Sequence, residues 1–160
     1  MSGTRPHART RTSAVIKATP EALYRAFTDP AALAVWMAPG DMTARVHQFD
    51  GRVGGGYQMS LSYPSSDATA RGKTSEREDR YAARFVDLTP PRRLVAAITF
   101  ATDDPAFAGE MVMEATFEAE DAGTRVTLVF TDLPPGIRPE DNELGTRLSL
   151  EKLARYVEHA

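Results

Sequence analysis

The sequence predicts an α+β protein in which a mostly antiparallel sheet of about seven strands packs against one long C-terminal helix. Three observations lead to this prediction. Residues 142–160 repeat apolar side chains at helical spacing and contain no proline. Most of residues 43–132 alternates apolar with polar side chains, which is typical of strands. The turns between most of these segments are short, and short turns join antiparallel neighbours.

Composition limits the classes of protein to which the chain can belong. Its 160 residues, 42% hydrophobic and 26% charged, suit one domain with a proper core. A net charge of −3 gives no support for a general nucleic-acid binder, and no apolar run approaches the roughly 20 residues that insert across a membrane. The absence of cysteine excludes disulfides and cysteine metal sites and fits a cytoplasmic protein. We expect a flexible tail over residues 1–9 and a single domain over 10–160.

Two helix-start signals follow a first strand, which we predict over residues 10–18. Residues 19–21 are Thr-Pro-Glu, which supply an N-cap, a proline favoured at the first helical position and an acid that suits the helix dipole. We therefore predict a helix over 20–28. Asp-Pro at 29–30 repeats the signal and predicts a second short helix through Trp36. The two helices interrupt the sheet after its first strand.

Six further strands are predicted from alternation and from turn residues. They cover residues 42–49, 57–63, 80–88, 93–100, 110–119 and 124–133. Three consecutive glycines at 54–56 permit a bulge or a sharp bend. The polar segment 65–78 is predicted to be a long loop, which covers a cavity mouth, contacts a partner or is an inert insertion.

The closing helix has one apolar face, formed by Thr146, Leu150, Leu153 and Val157. A single helix after a run of strands must bury that face on the sheet. Leu144 and Leu148 lie off the apolar face, and together with an exposed sheet edge they leave a homodimer open as an expectation.

The order of these elements resembles the helix-grip fold of the START-like superfamily, also called SRPBCC or Bet v 1-like. Within that superfamily the chain is similar to the family named for the activator of heat-shock protein 90 ATPase. The resemblance spans nearly the whole chain and is carried by residues 18–21, 27–30 with Trp36, 50–55, 87–95, 123–128, and 145–150 with Leu153 and Val157.

One position departs from the family pattern. The family usually has a large aromatic residue directly after the helix glycine, where this chain has Thr146. We expect the smaller side chain to enlarge the space beneath the helix or to make it more polar.

An antiparallel sheet that holds a helix tends to leave an apolar cavity, and ligand sites are typically apolar with a few placed polar groups. The residues that we expect to line it are Trp36, Tyr57, Met59, Leu61, Met111, Met113, Thr146, Leu150 and Leu153. The alternative is that these side chains simply fill a dense core. Trp36 either forms the rim of the cavity or is an aromatic residue of the core.

Catalytic chemistry has weaker candidates in the sequence. No catalytic triad spacing, metal-ligand spacing or cofactor motif is present. Glu114, His47 and Tyr57 are the groups that would serve as acid or base if they faced a cavity. The alternation of the sixth predicted strand instead places Glu114 on the solvated face, and His47 is expected on a strand surface. We predict no metal and no cofactor.

Three functions therefore stay open. The favoured one is binding of an apolar or amphipathic small molecule between sheet and helix, with no catalysis. The second is a cofactor-free cyclase-, aromatase- or hydrolase-like enzyme that uses the same cavity. The third and least favoured is a chaperone-activating interaction module, because the known activator works with an additional N-terminal domain that this sequence does not contain.

Overall fold

The computed structural model describes residues 8–63 and 78–158. The segment predicted as a loop over 65–78 lies outside the described residues except for Glu78, which already belongs to a strand. The predicted tail lies outside them except for Ala8 and Arg9, which open the first strand.

The described elements confirm the predicted order of strand, two helices, six strands and helix. They are β1 (Ala8–Ile16), α1 (Pro20–Phe27), α2 (Pro30–Trp36), β2 (Thr43–Asp50), β3 (Gly56–Ser62), β4 (Glu78–Thr89), β5 (Arg93–Phe100), β6 (Glu110–Glu120), β7 (Gly123–Leu133) and α3 (Pro139–Glu158). One antiparallel sheet runs in the order β1-β7-β6-β5-β4-β3-β2. The protein is therefore α+β, as predicted.

Several boundaries differ by a few residues from the predicted ones, including the starts of β4 and α3. β4 begins two residues earlier, at Glu78, because it continues to pair with the end of β3. α3 begins at Pro139, three residues earlier, since proline is well tolerated at the first helical position. A short 3-10 helix, Pro105–Phe107, occupies part of the segment predicted as a loop between β5 and β6.

The two early helices begin at the predicted capping residues. The Thr19 hydroxyl accepts a hydrogen bond from the Ala22 amide at 3.1 Å, and the Asp29 carboxylate accepts one from the Ala31 amide at 3.0 Å. Each cap satisfies an amide that the helix itself leaves unpaired. α1 and α2 then bury the apolar side chains Leu23, Tyr24, Ala26, Phe27, Ala32, Leu33 and Trp36.

The predicted glycine bend lies where β3 begins. Gly56 has φ +146°, and a Cβ at this position would lie 1.8 Å from the Ala83 carbonyl oxygen of β4. Only glycine allows the two strands to approach this closely. The register also shifts at His47 in β2 and at Val86 in β4, so both residues occupy bulges.

The inner face of the sheet, which α3 covers, is divided into two halves. At one end α1 packs aromatic rings against β6, with ring centroids 5.2 Å apart for Phe27 and Phe117. Trp36 of α2 packs on Phe27, with centroids 4.6 Å apart. Leu153 of α3 is fully buried and belongs to the hydrophobic core. The first half of α3 lies over the other end of the sheet, where the candidate site is found.

Polar contacts fix α3 on both sides of that end. The Ser149 hydroxyl donates to the Met37 carbonyl at 2.7 Å, and the Lys152 ammonium donates to the Ala38 carbonyl at 2.6 Å. On the opposite side Thr10 of β1 donates to the side-chain oxygen of Asn142. In the described part of the chain, no helix combines the length and the apolar character that a membrane span requires.

Candidate functional site

A cavity of about 640 Å³ lies between the inner face of the sheet and the first half of α3. This volume falls within the range of about 300–1,000 Å³ that is common for small-molecule sites. The sheet supplies its floor, α3 its roof, and the segments that follow α2 and β7 its sides. Its apolar walls are formed by Trp36, Met37, Pro39, Met42, Tyr57, Leu61, Tyr63, Tyr81, Ile98, Phe100, Phe107, Met111, Met113, Leu128, Phe130 and Ile137.

Aromatic rings run continuously along one wall. Tyr57 and Tyr81 have ring centroids 6.2 Å apart, Tyr81 and Phe100 6.1 Å apart, and Phe100 and Phe107 6.5 Å apart, all at steep interplanar angles. Because the rings meet edge to face, they stabilise one another, and an aromatic wall offers a bound molecule both apolar area and ring contacts.

Two tyrosine hydroxyls bring polarity into this wall. The Tyr81 hydroxyl donates to the Met59 sulfur at 3.2 Å. Burial raises the pKa of Tyr57 to about 12, although its hydrogen bond with Tyr81 lowers it in part. Burial also raises the pKa of Tyr81 well above its ordinary value, and the neighbouring Tyr57 and Asp79 add to the effect. Both side chains are therefore neutral hydroxyls at physiological pH.

Asp79 is a cavity-lining residue that the sequence analysis missed. It lies on the cavity wall with only 3% of its surface exposed, near the start of β4 and next to Tyr81 on the same face. The predicted loop ends at residue 78 and the predicted strand begins at residue 80, so Asp79 belongs to neither predicted segment. The alternation of Asp79, Tyr81, Ala83 and Phe85 was the signal that would have placed it on the inner face.

The roof of the cavity contributes small polar side chains from α3. Thr146 and Ser149 are both buried and line the cavity. Their hydroxyls are satisfied within the protein, since Thr146 donates to the Asn142 carbonyl at 2.7 Å and Ser149 donates to Met37. Toward the N-terminus of α3 the lining becomes charged, with Arg138 and Asp141 both exposed.

Six of the nine residues predicted to line a cavity lie on its wall, namely Trp36, Tyr57, Leu61, Met111, Met113 and Thr146. Met59, Leu150 and Leu153 are fully buried but are not part of the wall, because they pack within the filled core. Trp36 is fully buried and its indole N–H donates to the Ala26 carbonyl at 2.9 Å, so it is an anchored part of the inner wall and not a rim residue.

The three catalytic candidates lie in different environments. Tyr57 faces the cavity. His47 is exposed on β2, where its ring nitrogen lies 2.7 Å from the Ser60 hydroxyl. Glu114 is on the outer face of β6, paired with Arg93 at 2.6 Å. The structure therefore does not bring these three groups together.

Residues 8–63 and 78–158 contain no candidate metal site. No group of three or more histidine, aspartate or glutamate side chains there is arranged to hold a metal ion. The candidate site is accordingly a largely apolar cavity whose polar lining includes one buried carboxylate, two tyrosine hydroxyls and a charged rim.

A seven-stranded antiparallel sheet with a long helix packed across such a space defines a helix-grip domain. This fold is consistent with a family of ligand-binding proteins. Residues 17–158 match the family model described as activator of Hsp90 ATPase homolog 1-like protein. The chain belongs to this family.

Solved structures agree with that assignment. A crystal structure from Chromobacterium violaceum is 30% identical, covers 94% of this chain and 98% of its own, and superposes with a TM-score of 0.80. The AHSA1 protein of Silicibacter pomeroyi is 20% identical over 95% of this chain and 99% of its own, with a TM-score of 0.75. An AHSA1-like protein of Aeromonas hydrophila is 23% identical over 95% of this chain and 93% of its own, with a TM-score of 0.69. These last two show the shared fold. No curated protein matches the chain.

Proposed function

We propose that this protein binds an apolar or amphipathic small molecule in the cavity beneath α3 and performs no chemistry on it. The observation that carries the proposal is the space itself, about 640 Å³ roofed by Thr146 where the family usually has a large aromatic side chain. A side chain of that size at position 146 would occupy part of the volume, so the threonine keeps it available.

The composition of the wall supports the same proposal. Rings from β3, β4 and β5 offer flat apolar surfaces, and Met37, Met42, Met111 and Met113 offer flexible ones. Methionine side chains adapt to ligands of different shape, because they have three rotatable bonds and a polarizable sulfur. Few polar groups interrupt the wall, which favours a ligand that is mainly apolar with one polar end.

A cofactor-free cyclase-, aromatase- or hydrolase-like enzyme is the second candidate. It is favoured by one observation, namely that Tyr57 and Asp79 both belong to the cavity wall. A neutral tyrosine hydroxyl can donate to a developing oxyanion, and a carboxylate can accept a proton. The two candidates differ in a single respect, which is whether a bound molecule is recovered unchanged.

A chaperone-activating interaction module rests on the name of the family alone. Because a fold can carry many unrelated functions, the name gives this possibility little weight.

The test is a ligand panel measured by thermal unfolding and by Trp36 fluorescence. Lipids, sterols, flavonoids and polyketide-like aromatics are added singly to the whole chain. A molecule present at 100 times its dissociation constant should stabilise the folded protein by about 2.7 kcal/mol, which is readily seen as a rise in Tm. Because Trp36 is a wall residue, a ligand in the cavity should also change its emission.

The outcome separates the candidates. A rise in Tm with a Trp36 response, and recovery of the unchanged molecule after prolonged incubation, would support the binding function. Conversion of the bound molecule would favour the enzyme. A panel in which no compound raises Tm would contradict both and leave an interaction role as the better account.

A further inference from the structure

Tyr57 and Tyr81 carry hydroxyl groups on neighbouring strands of the cavity wall. Tyr57 is 4% exposed and Tyr81 is 7% exposed, and both residues line the cavity. Met59 lies directly opposite Tyr81 in the β3–β4 ladder, and Tyr57 precedes Met59 by two residues, on the same face of β3. The register of the two strands therefore brings both hydroxyls and the Met59 thioether together.

The hydrogen bonds of this tyrosine pair leave one hydroxyl proton on a weak acceptor. Each tyrosine hydroxyl brings one proton and accepts through its oxygen. The Tyr81 hydroxyl donates to the Met59 sulfur at 3.2 Å, and Tyr57 and Tyr81 share the hydrogen bond between them. One of the two protons is therefore received by an oxygen and the other by a thioether sulfur, which is a weak acceptor. The pair has a hydrogen bond to give to a better acceptor.

A ligand carbonyl oxygen beside Tyr57 would be that better acceptor. Tyr57 is the donor that a ligand meets, because the Tyr81 hydroxyl is directed at Met59, which is not part of the wall. When Tyr57 donates to the carbonyl, Tyr81 can turn its proton from the Met59 sulfur to the Tyr57 oxygen. Binding then exchanges an O–H···S bond for a stronger O–H···O bond. A methylene group in the same place offers no acceptor and gains nothing from the hydroxyls.

The acceptor should be uncharged, and its skeleton should be flat. Burial raises the pKa of both Tyr57 and Tyr81, so both keep their protons at physiological pH. A neutral hydroxyl can offset the lost hydration of a carbonyl oxygen, whereas the transfer of an ionised group into an apolar site costs far more. The rings of Tyr57, Tyr81 and Phe100 lie beside the hydroxyls and offer contact surface to an aromatic ligand.

We propose that the cavity selects aromatic molecules with a neutral carbonyl group, and that the Tyr57 hydroxyl donates a hydrogen bond to that carbonyl oxygen. This inference rests on the proposed function, because it names the chemical class of molecule that the same cavity takes. Tyr57 is thereby a binding and specificity-determining residue.

The test uses two probes that differ only at one group. Benzophenone has a carbonyl between two phenyl rings, and diphenylmethane has a methylene at the same position. Dissociation constants are measured by equilibrium dialysis, below the solubility limit of each probe, for the wild type, Tyr57→Phe and Tyr24→Phe. Tyr24→Phe is the matched control, because it removes a hydroxyl from a buried ring that packs on Phe117 and is not part of the cavity wall.

Tyr57→Phe should bind benzophenone about fivefold more weakly than the wild type does, which is the cost of losing one neutral hydrogen bond. The affinity of the two proteins for diphenylmethane should agree within about twofold. Comparison of the two probes cancels any general change in the shape of the cavity. Tyr24→Phe should bind both probes as the wild type does.

A second readout detects the hydrogen bond itself. A hydrogen bond to a carbonyl oxygen weakens the C=O bond and lowers its infrared stretching frequency. The stretch of bound benzophenone, identified by isotopic labelling of its carbonyl carbon, should lie at a lower frequency in the wild type and in Tyr24→Phe than in Tyr57→Phe. In the wild type it should also lie below the frequency of benzophenone in hexane, a comparison that needs no variant.

Other results would overturn the inference. A Tyr57→Phe variant that weakens both probes alike, or neither, would show that the hydroxyl does not select a carbonyl. The same loss of benzophenone binding in Tyr24→Phe, or a wild-type carbonyl frequency equal to that in hexane, would also contradict it. In each of these cases the cavity still binds a ligand, so the proposed function stands. Binding of neither probe by the wild type would count against both.

Discussion

The side chain at position 146 forms part of the roof of the space beneath α3. Thr146 is buried, lines the cavity and satisfies its own hydroxyl on the preceding turn of the helix. A bound ligand therefore does not need to form a hydrogen bond with the Thr146 hydroxyl. The departure from the family pattern was visible in the sequence, and the expectation of a larger or more polar space agrees with the position of Thr146 on the cavity roof.

Because the tyrosines Tyr57 and Tyr81 are buried, the free energy of unfolding should fall at alkaline pH. The pKa of Tyr57 is about 12 in the folded protein against 10.0 for the free side chain, so folding favours its neutral form. This contribution is fully present below pH 10 and is lost as the pH rises from 10 to 12. A shift of two units corresponds to about 2.7 kcal/mol.

Tyr57→Phe should therefore weaken the loss of stability above pH 10. We expect urea unfolding to show that the wild type loses on the order of 2 kcal/mol more than the variant between pH 9 and pH 12. Identical pH profiles for the two proteins would mean that the Tyr57 hydroxyl is not shielded from solvent.

At the scale of elements, the pairing of β3 with β4 depends on Gly56. A methyl group there would meet the Ala83 carbonyl oxygen, which is part of the strand backbone and can move only if the ladder moves. Gly54 has a positive φ of +87° too, but a Cβ at that position has open space around it. A substitution of Gly54 therefore introduces backbone strain alone, whereas a substitution of Gly56 introduces strain and a steric collision together.

Gly54→Ala should cost about 1–2 kcal/mol of unfolding free energy, from the strained backbone alone. Gly56→Ala should cost at least about 3 kcal/mol, since strain and collision add. Urea unfolding of the two variants measures the difference. Equal costs would show that the β3–β4 approach is looser than described.

The closing helix shows what periodicity predicts and what it leaves out. The apolar face of Thr146, Leu150, Leu153 and Val157 was predicted from spacing, and Leu150 and Leu153 are buried as that face requires. Spacing gives no information on what lies opposite each turn. Thr146 lines the cavity, whereas Leu153 is fully buried in the hydrophobic core.

For the molecule as a whole, the element order and the sheet could be predicted because local signals agreed with one another. Capping residues, alternation and turn glycines each indicated one element, and the sheet register follows from which face is apolar. Asp79 was missed for the opposite reason. It belongs to a segment of polar composition, so the alternation that continues from Tyr81 back to Asp79 was not followed, and pairing with β3 extends β4 over it.

The predicted homodimer stays a prediction at this scale. Leu144 is 48% exposed on α3, and Leu148 is partly buried beside the segment that follows α2. β1 and β2 are the two edges of the sheet. A single exposed leucine is ordinary for a protein surface and carries no conclusion about assembly.

The measurement that tests the central claim most directly is the affinity of Thr146→Phe for the tightest ligand found with the panel. The phenyl ring should occupy the space beneath α3 and weaken binding at least tenfold while the protein stays folded, since it restores an aromatic residue of the kind that the family usually has at this position. Leu144→Phe adds a ring to the exposed side of the same helix and should leave the affinity unchanged. Calorimetric titration gives both values. Unchanged binding by Thr146→Phe would contradict a ligand site between the sheet and α3.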